Sequence, residues 1–420
     1  MFASASRSRL LPMSLPFRYF GAAAAFQVAA WGMLLYSFRT LVEFEGGLGP
    51  VFGALHLLTL GVLAMTAMGA TLQLLPVATR QPVRALWAVR LLWWLYVPGI
   101  ALFAAAAAAY RPDLMGAGAM AVALALLIYG VLLFRNLLGA RGMKVVVAHG
   151  WAALGCLVAL AATGLALVAR YEHGWALDHV ALRNAHLVLA TFGFMGLLAF
   201  GLSSFLLPML AVAPAPASGV SKGILWASLA GISIGALGFV LPAALIGLAA
   251  AIAHVVSMER ALRSRLRRPL GASFLLVRVS WGCLIASLVL ALLMALGLAP
   301  ARAALLFGVL LVPGWLLTFL LGVLARIVPF LASVHASGGA RGTPLISALT
   351  PARLLAVHGV LHLLALSLLI AAAVSGRPTF AALGAAAGLA GAVAFSAFFA
   401  YVLLKVRTHE LQPPHQPATA

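Results

Sequence analysis

Apolar residues run along this chain in long blocks of about 20 or more, the length a helix needs to cross ~30 Å of hydrocarbon, and polar residues gather in the gaps between them. Twelve such blocks fall at 18–39, 50–78, 83–109, 113–134, 143–169, 180–212, 222–240, 241–258, 271–297, 300–329, 351–375 and 378–404. The division between the seventh and eighth, around Pro242, is the least sharply marked. The pattern predicts an all-α, polytopic membrane protein.

A four-helix unit recurs three times along it. One segment reads HLLTLGVLAMTAMGATLQLLPV from His56, HLVLATFGFMGLLAFGLSSFLLPML from His186 and GVLLVPGWLLTFLLGVLARIVPFL from Gly308. Each copy has two glycines eight residues apart and a proline seven further on: Gly61, Gly69 and Pro76, then Gly193, Gly201 and Pro208, then Gly314, Gly322 and Pro329. The first helices echo one another as AAWGMLL around Gly32, AALGCLV around Gly155 and VSWGCLI around Gly282, and the fourth helices end with Tyr129, His254 and Tyr401. Small residues at fixed positions are expected contact points, since membrane helices pack by close backbone approach. The organisation expected is one membrane domain over 1–408, with repeats at about 17–135, 143–260 and 271–407, and a disordered tail over 409–420.

Composition agrees: 65% of residues are hydrophobic, 8% are charged and mean hydropathy is +1.13, so no water-soluble surface can be built from this chain. Most Lys and Arg fall in the gaps that share a side with the N-terminus, while Arg39, Arg111, Arg170, Arg183, Arg302 and Arg377 fall on the other. The positive-inside rule then puts both termini in the cytoplasm of an inner membrane. The net charge of +20 reports this topology and the nearness of a lipid bilayer, not a nucleic-acid partner. The cluster RALRSRLRRP from Arg260 reads as a headgroup-facing loop. The segment before Phe17 is basic and lacks an apolar core with a cleavage site, so it is not read as a removable signal. Cys156 and Cys283 lie within apolar blocks, which argues against a disulfide scaffold.

Ionisable groups at membrane depth tend to be functional. The seven acids all fall in gaps or at helix ends, against a carboxylate that binds a coupling proton or sodium ion. Histidine remains. His56 and His186 open the second and sixth helices at similar depth on the outer side, while His149, His358 and His362 lie toward the cytoplasm, the last two on one helical face. Neutral imidazole ligates haem iron and copper. A metal or haem is the chemistry these residues point to, and no catalytic group is assigned.

Twelve helices in three arcs, with histidines entering the second and sixth, resemble subunit I of the haem–copper oxidases and their NnrS-like, non-oxidase relatives. By that resemblance His56 matches a low-spin haem ligand and His186 a copper ligand. The histidine pairs expected on the seventh and tenth helices are missing between Gly223 and Val240 and between Arg302 and Pro329. A complete oxygen-reducing centre is therefore not expected. The resemblance implies b-type haem, held by His56 and His186 or by His56 with His358 or His362, with copper a further candidate at His56, His186 or His149. It implies electron transfer or gas or metal sensing beside a redox partner or respiratory complex. The rival expectations are a transporter of copper or an uncharged solute, and a cofactor-free assembly subunit.

Overall fold

The computed structural model describes residues 10–175, 178–266, 270–336 and 343–411. Among them, twelve helices are long and apolar enough to cross a membrane. They are α1 (Ser14–Tyr36), α2 (Pro50–Thr79), α3 (Leu86–Ala108), α4 (Pro112–Leu138), α5 (Lys144–His173), α6 (His179–Ala211), α7 (Ser218–Ala236), α8 (Val240–Arg263), α9 (Ala272–Ala295), α10 (Ala303–Ala336), α11 (Ala352–Ser375) and α12 (Pro378–Leu411). Each expected block corresponds to one helix, and the doubtful Pro242 lies in the first turn of α8. The last helix runs to Leu411, three residues into the expected tail; 412–420 lie outside the described residues, as do Arg267 and Arg268 of the basic cluster.

Helix ends follow local chemistry. Proline opens α2, α4 and α12, where its missing N–H costs no helical bond. Asp178 caps α6 by accepting from the N–H groups of Val180 and Ala181 at 3.0 and 3.1 Å. Gly174 and Gly376 close α5 and α11 in the left-handed conformation, at φ 69° and 68°.

The three arcs arrange these helices in two shells. Consecutive helices pack as hairpins, α12 closes the ring against α1, and α2, α6 and α10 stand inside it. Burial separates the shells: 72%, 67% and 61% of the most apolar stretch of α2, α6 and α10 is buried, against 50% or less in the other nine. All three inner helices widen in their first half into π-helix, over Leu57–Ala64, Leu189–Gly196 and Leu310–Leu317. In each, the first glycine of the repeated motif is the fifth of eight π residues. Helices of this kind are rare and usually mark functional positions.

The repeat is also one of contacts. Gly61, Gly193 and Gly314 face Phe26, Cys156 and Cys283 on the preceding helix; Gly69, Gly201 and Gly322 face Tyr19, His149 and Leu276. The partners are seven residues apart in every unit, and a Cβ added at any of these glycines would come within 2.5–3.1 Å of its partner. One sequence echo is out of register with this geometry. AAWGMLL aligns Met33 with Cys156 and Cys283, yet the residue opposite Gly61 is Phe26, seven positions earlier. The physical reason is that a Cβ added at Gly32, Gly155 or Gly282 would meet nothing within 4 Å among the described residues, so no close approach ties those glycines to a shared register.

Buried polar pairs tie inner helices to outer ones. The Thr71 hydroxyl donates to the Ala67 carbonyl at 2.7 Å, so its oxygen accepts from Tyr129 of α4 at 2.8 Å. The equivalent Ser203 donates to the Phe200 carbonyl at 3.0 Å and accepts from His254 Nε2 of α8 at 3.2 Å. Near the end that carries the α8–α9 connection, Arg278 pairs with Glu259 through two bonds of 2.6 and 3.0 Å, and Arg326 bonds Ser273 and the Leu270 carbonyl at the start of α9.

Candidate functional site

Between the inner helices and the arcs outside them lies an apolar cavity of about 700 Å³. This is the scale of sites that enclose small molecules and cofactors. Its mouth, formed by Phe44, Gly46, Tyr171, His179 and Arg183, opens on the face carrying the connections after the odd-numbered helices, the outer face in the expected topology. From there it runs inward to Phe200 and Trp315 at the π-helical level. His56 and His186 both line it.

His56 sits six residues past the start of α2, about 9 Å along the axis. Its ring lies against Phe52, with centroids 4.2 Å apart, and against Phe103 of α3 at 5.1 Å. Nδ1 donates to the Phe52 carbonyl at 3.0 Å, which places the lone pair of the neutral ring on Nε2. That nitrogen has no hydrogen-bond partner among the described residues.

His186 sits seven residues past the start of α6, at matching depth. Its seat is on α5. Gly164 leaves room for the ring, since a Cβ there would lie 3.1 Å from His186 Cε1. The Thr163 hydroxyl donates to the Ala159 and Leu160 carbonyls, both at 3.0 Å, so its oxygen accepts from His186 Nδ1 at 3.3 Å. The consequence matches His56: the proton is on Nδ1 and the lone pair on Nε2. A bond on one ring nitrogen that leaves the other free as an acceptor is the arrangement expected of an imidazole ligand.

The other sequence candidates are elsewhere. His358 and His362 of α11 are 1% and 2% exposed and do not line the cavity. His358 Nδ1 donates to the Gly391 carbonyl at 2.9 Å, and His362 Nε2 bonds the Thr318 hydroxyl at 2.7 Å. His149 bonds the Val145 carbonyl at 2.9 Å and packs on Gly201, away from the cavity. The structure thus brings His56 and His186 onto one cavity and leaves His149, His358 and His362 in packed helix contacts. Among the described residues, no three His, Cys, Asp or Glu groups converge to hold a metal ion.

Thr163, Gly164, Phe52 and Phe103 were not singled out in the sequence. A threonine–glycine pair inside an apolar helix is a faint signal of a seat for a polar neighbour, and nothing in the pattern joins it to His186. As a donor set, two neutral imidazoles opening on an apolar cavity, with an arginine at its mouth, fit a haem whose iron takes axial nitrogen.

No protein-family model matches the chain, and no curated protein matches it. Among solved structures it is similar to a haem–copper terminal oxidase determined by cryo-electron microscopy, with a TM-score of 0.63 and 12% identity over 97% of this chain and 86% of that one. At that identity the likeness is one of fold. The twelve-helix, three-arc architecture is of the haem–copper oxidase subunit I type.

Proposed function

We propose that the protein is a multi-pass inner-membrane haem protein, with both termini in the cytoplasm, that holds one b-type haem in the outer cavity for electron transfer or for sensing a gas or metal. The observation that carries this reading is the pairing of His56 and His186: each has its proton fixed on Nδ1 by a neighbouring oxygen, and both rings line one apolar space. The oxidase fold supports it, since the solved relative in fold is described as a haem–copper protein.

When bound, haem would supply a one-electron centre. The chain does the rest. His56 and His186 offer Nε2 to the iron, Phe52 and Phe103 hold the His56 ring, and Thr163 holds the His186 ring. The apolar wall excludes water from the space between them, which raises the cost of charge there and so tunes the potential of whatever is bound. A resident copper is a weaker part of the reading, because no third donor joins the two histidines among the described residues.

An absorption spectrum of the purified protein tests the proposal. A Soret band is expected, and His56→Ala or His186→Ala should abolish or shift it. A colourless protein that takes up no added haemin would contradict the reading and favour a transporter or an assembly subunit.

A further inference from the structure

The face of α6 that carries His186 holds two more polar groups nearer the mouth. His179, Arg183 and His186 stand at i, i+4 and i+7, which puts them on one stripe of the helix. Arg183 is about 4.5 Å and His179 about 10 Å above His186 along the axis. All three line the cavity.

Neither outer group has a side-chain hydrogen-bond or ion-pair partner among the described residues. His179 Nδ1 is buried without a hydrogen-bond partner, its ring set edge-on to Tyr171 at 5.9 Å. Arg183 makes no ion pair there, whereas Arg111 and Arg278 are paired with Asp113 and Glu259. The acid at the mouth, Glu45, is exposed and does not reach Arg183. An exposed guanidinium without an ion pair, one helical turn from a half-buried imidazole whose Nδ1 is unpartnered, at the rim of an apolar cavity, is a receptor for an anion whose other end is apolar.

We propose that Arg183 and His179 form a carboxylate subsite at the mouth, receiving the acidic end of an amphiphile whose apolar body fills the cavity. The proposal deepens the haem reading and rests on it, since the two propionates of haem are carboxylates on an apolar macrocycle. A free long-chain fatty acid presents the same chemistry. With His186 gripping at one level and Arg183 one turn outward, a planar ligand is held at its centre and at its edge.

The experiment titrates the purified full-length protein with haemin, with haemin dimethyl ester, in which the propionates are capped, and with a fluorescent long-chain fatty acid. Wild type should bind haemin about tenfold to a hundredfold more tightly than the ester, the range expected of a charge-assisted bond. Arg183→Met should erase that preference by weakening haemin and leaving the ester unchanged, and Arg183→Lys should restore part of it. Equal binding of haemin and ester by wild type overturns the subsite while leaving the haem reading intact, and needs no variant to fold. If neither gives a Soret band, the haem reading fails, and the fatty-acid arm decides alone. Saturable fatty-acid binding lost in Arg183→Met then sustains the subsite, and no binding overturns it.

Discussion

Gly201→Ala tests whether the repeated glycines set the spacing of the arcs. The added methyl would lie 2.5 Å from His149 Cβ and 3.0 Å from its Cγ. Carbon atoms settle at about 3.5–4.0 Å, so α5 and α6 must separate by about 1 Å, because a Cβ cannot move without its backbone. Overpacking of this kind costs about 1–3 kcal/mol, offset by about 1 kcal/mol of helix propensity gained when alanine replaces glycine. The expected net loss is about 0–2 kcal/mol. Gly155→Ala, on the same α5, is the control. Nothing among the described residues lies within 4 Å of its new Cβ, so it should be neutral or stabilising by up to about 1 kcal/mol. The two cysteines of the chain, Cys156 and Cys283, are both buried, so a thiol-reactive fluorophore added during a thermal ramp in detergent reports opening of the α5–α6 and α9–α10 contacts. Gly201→Ala should lower the midpoint and Gly155→Ala should not. Equal midpoints for the two variants would refute the argument that the repeated glycines are contact points.

Thr163→Val should leave His186 Nδ1 without its acceptor and free the ring to change tautomer; haemin affinity should fall at least tenfold, and Thr163→Ser should recover most of it, both read by Soret titration. Tyr129→Phe and Thr71→Val, taken singly and together, should show a coupling of about 1 kcal/mol in the same melting assay, while an additive result would remove the bond as a tie between α2 and α4. Arg278 and Glu259, partly exposed despite two short bonds, should couple by no more than about 1 kcal/mol, checked by a double-mutant cycle at low and high salt.

The helices were legible because the hydrocarbon thickness imposes a length that apolar runs must meet, and every block from 18–39 to 378–404 became a helix. The motif around Gly61, Gly193 and Gly314 was legible because a close approach tolerates only a small residue. The π-helical widening at those glycines was not, since it arises from packing of the whole bundle and leaves no period of its own in the sequence. The AAWGMLL echo misled for the opposite reason: a side chain at position 32 would meet nothing within 4 Å among the described residues, so the alignment of Gly32 with Gly155 and Gly282 carried no physical constraint. Histidine depth along each helix grouped His56 with His186, which line one cavity, and set apart His358 and His362, which do not line it. What no spacing revealed was the seat of His186 on α5, because Thr163 and Gly164 are joined to it only by the packing of two helices.

Low-temperature electron paramagnetic resonance of the ferric, haem-loaded protein reads directly whether His56 and His186 grip one iron. Wild type should give the low-spin signal of two axial imidazoles, both His56→Ala and His186→Ala should convert it to high spin, and His358→Ala should leave it unchanged. A wild-type signal that survives both substitutions, or that is lost only with His358, would contradict that grip.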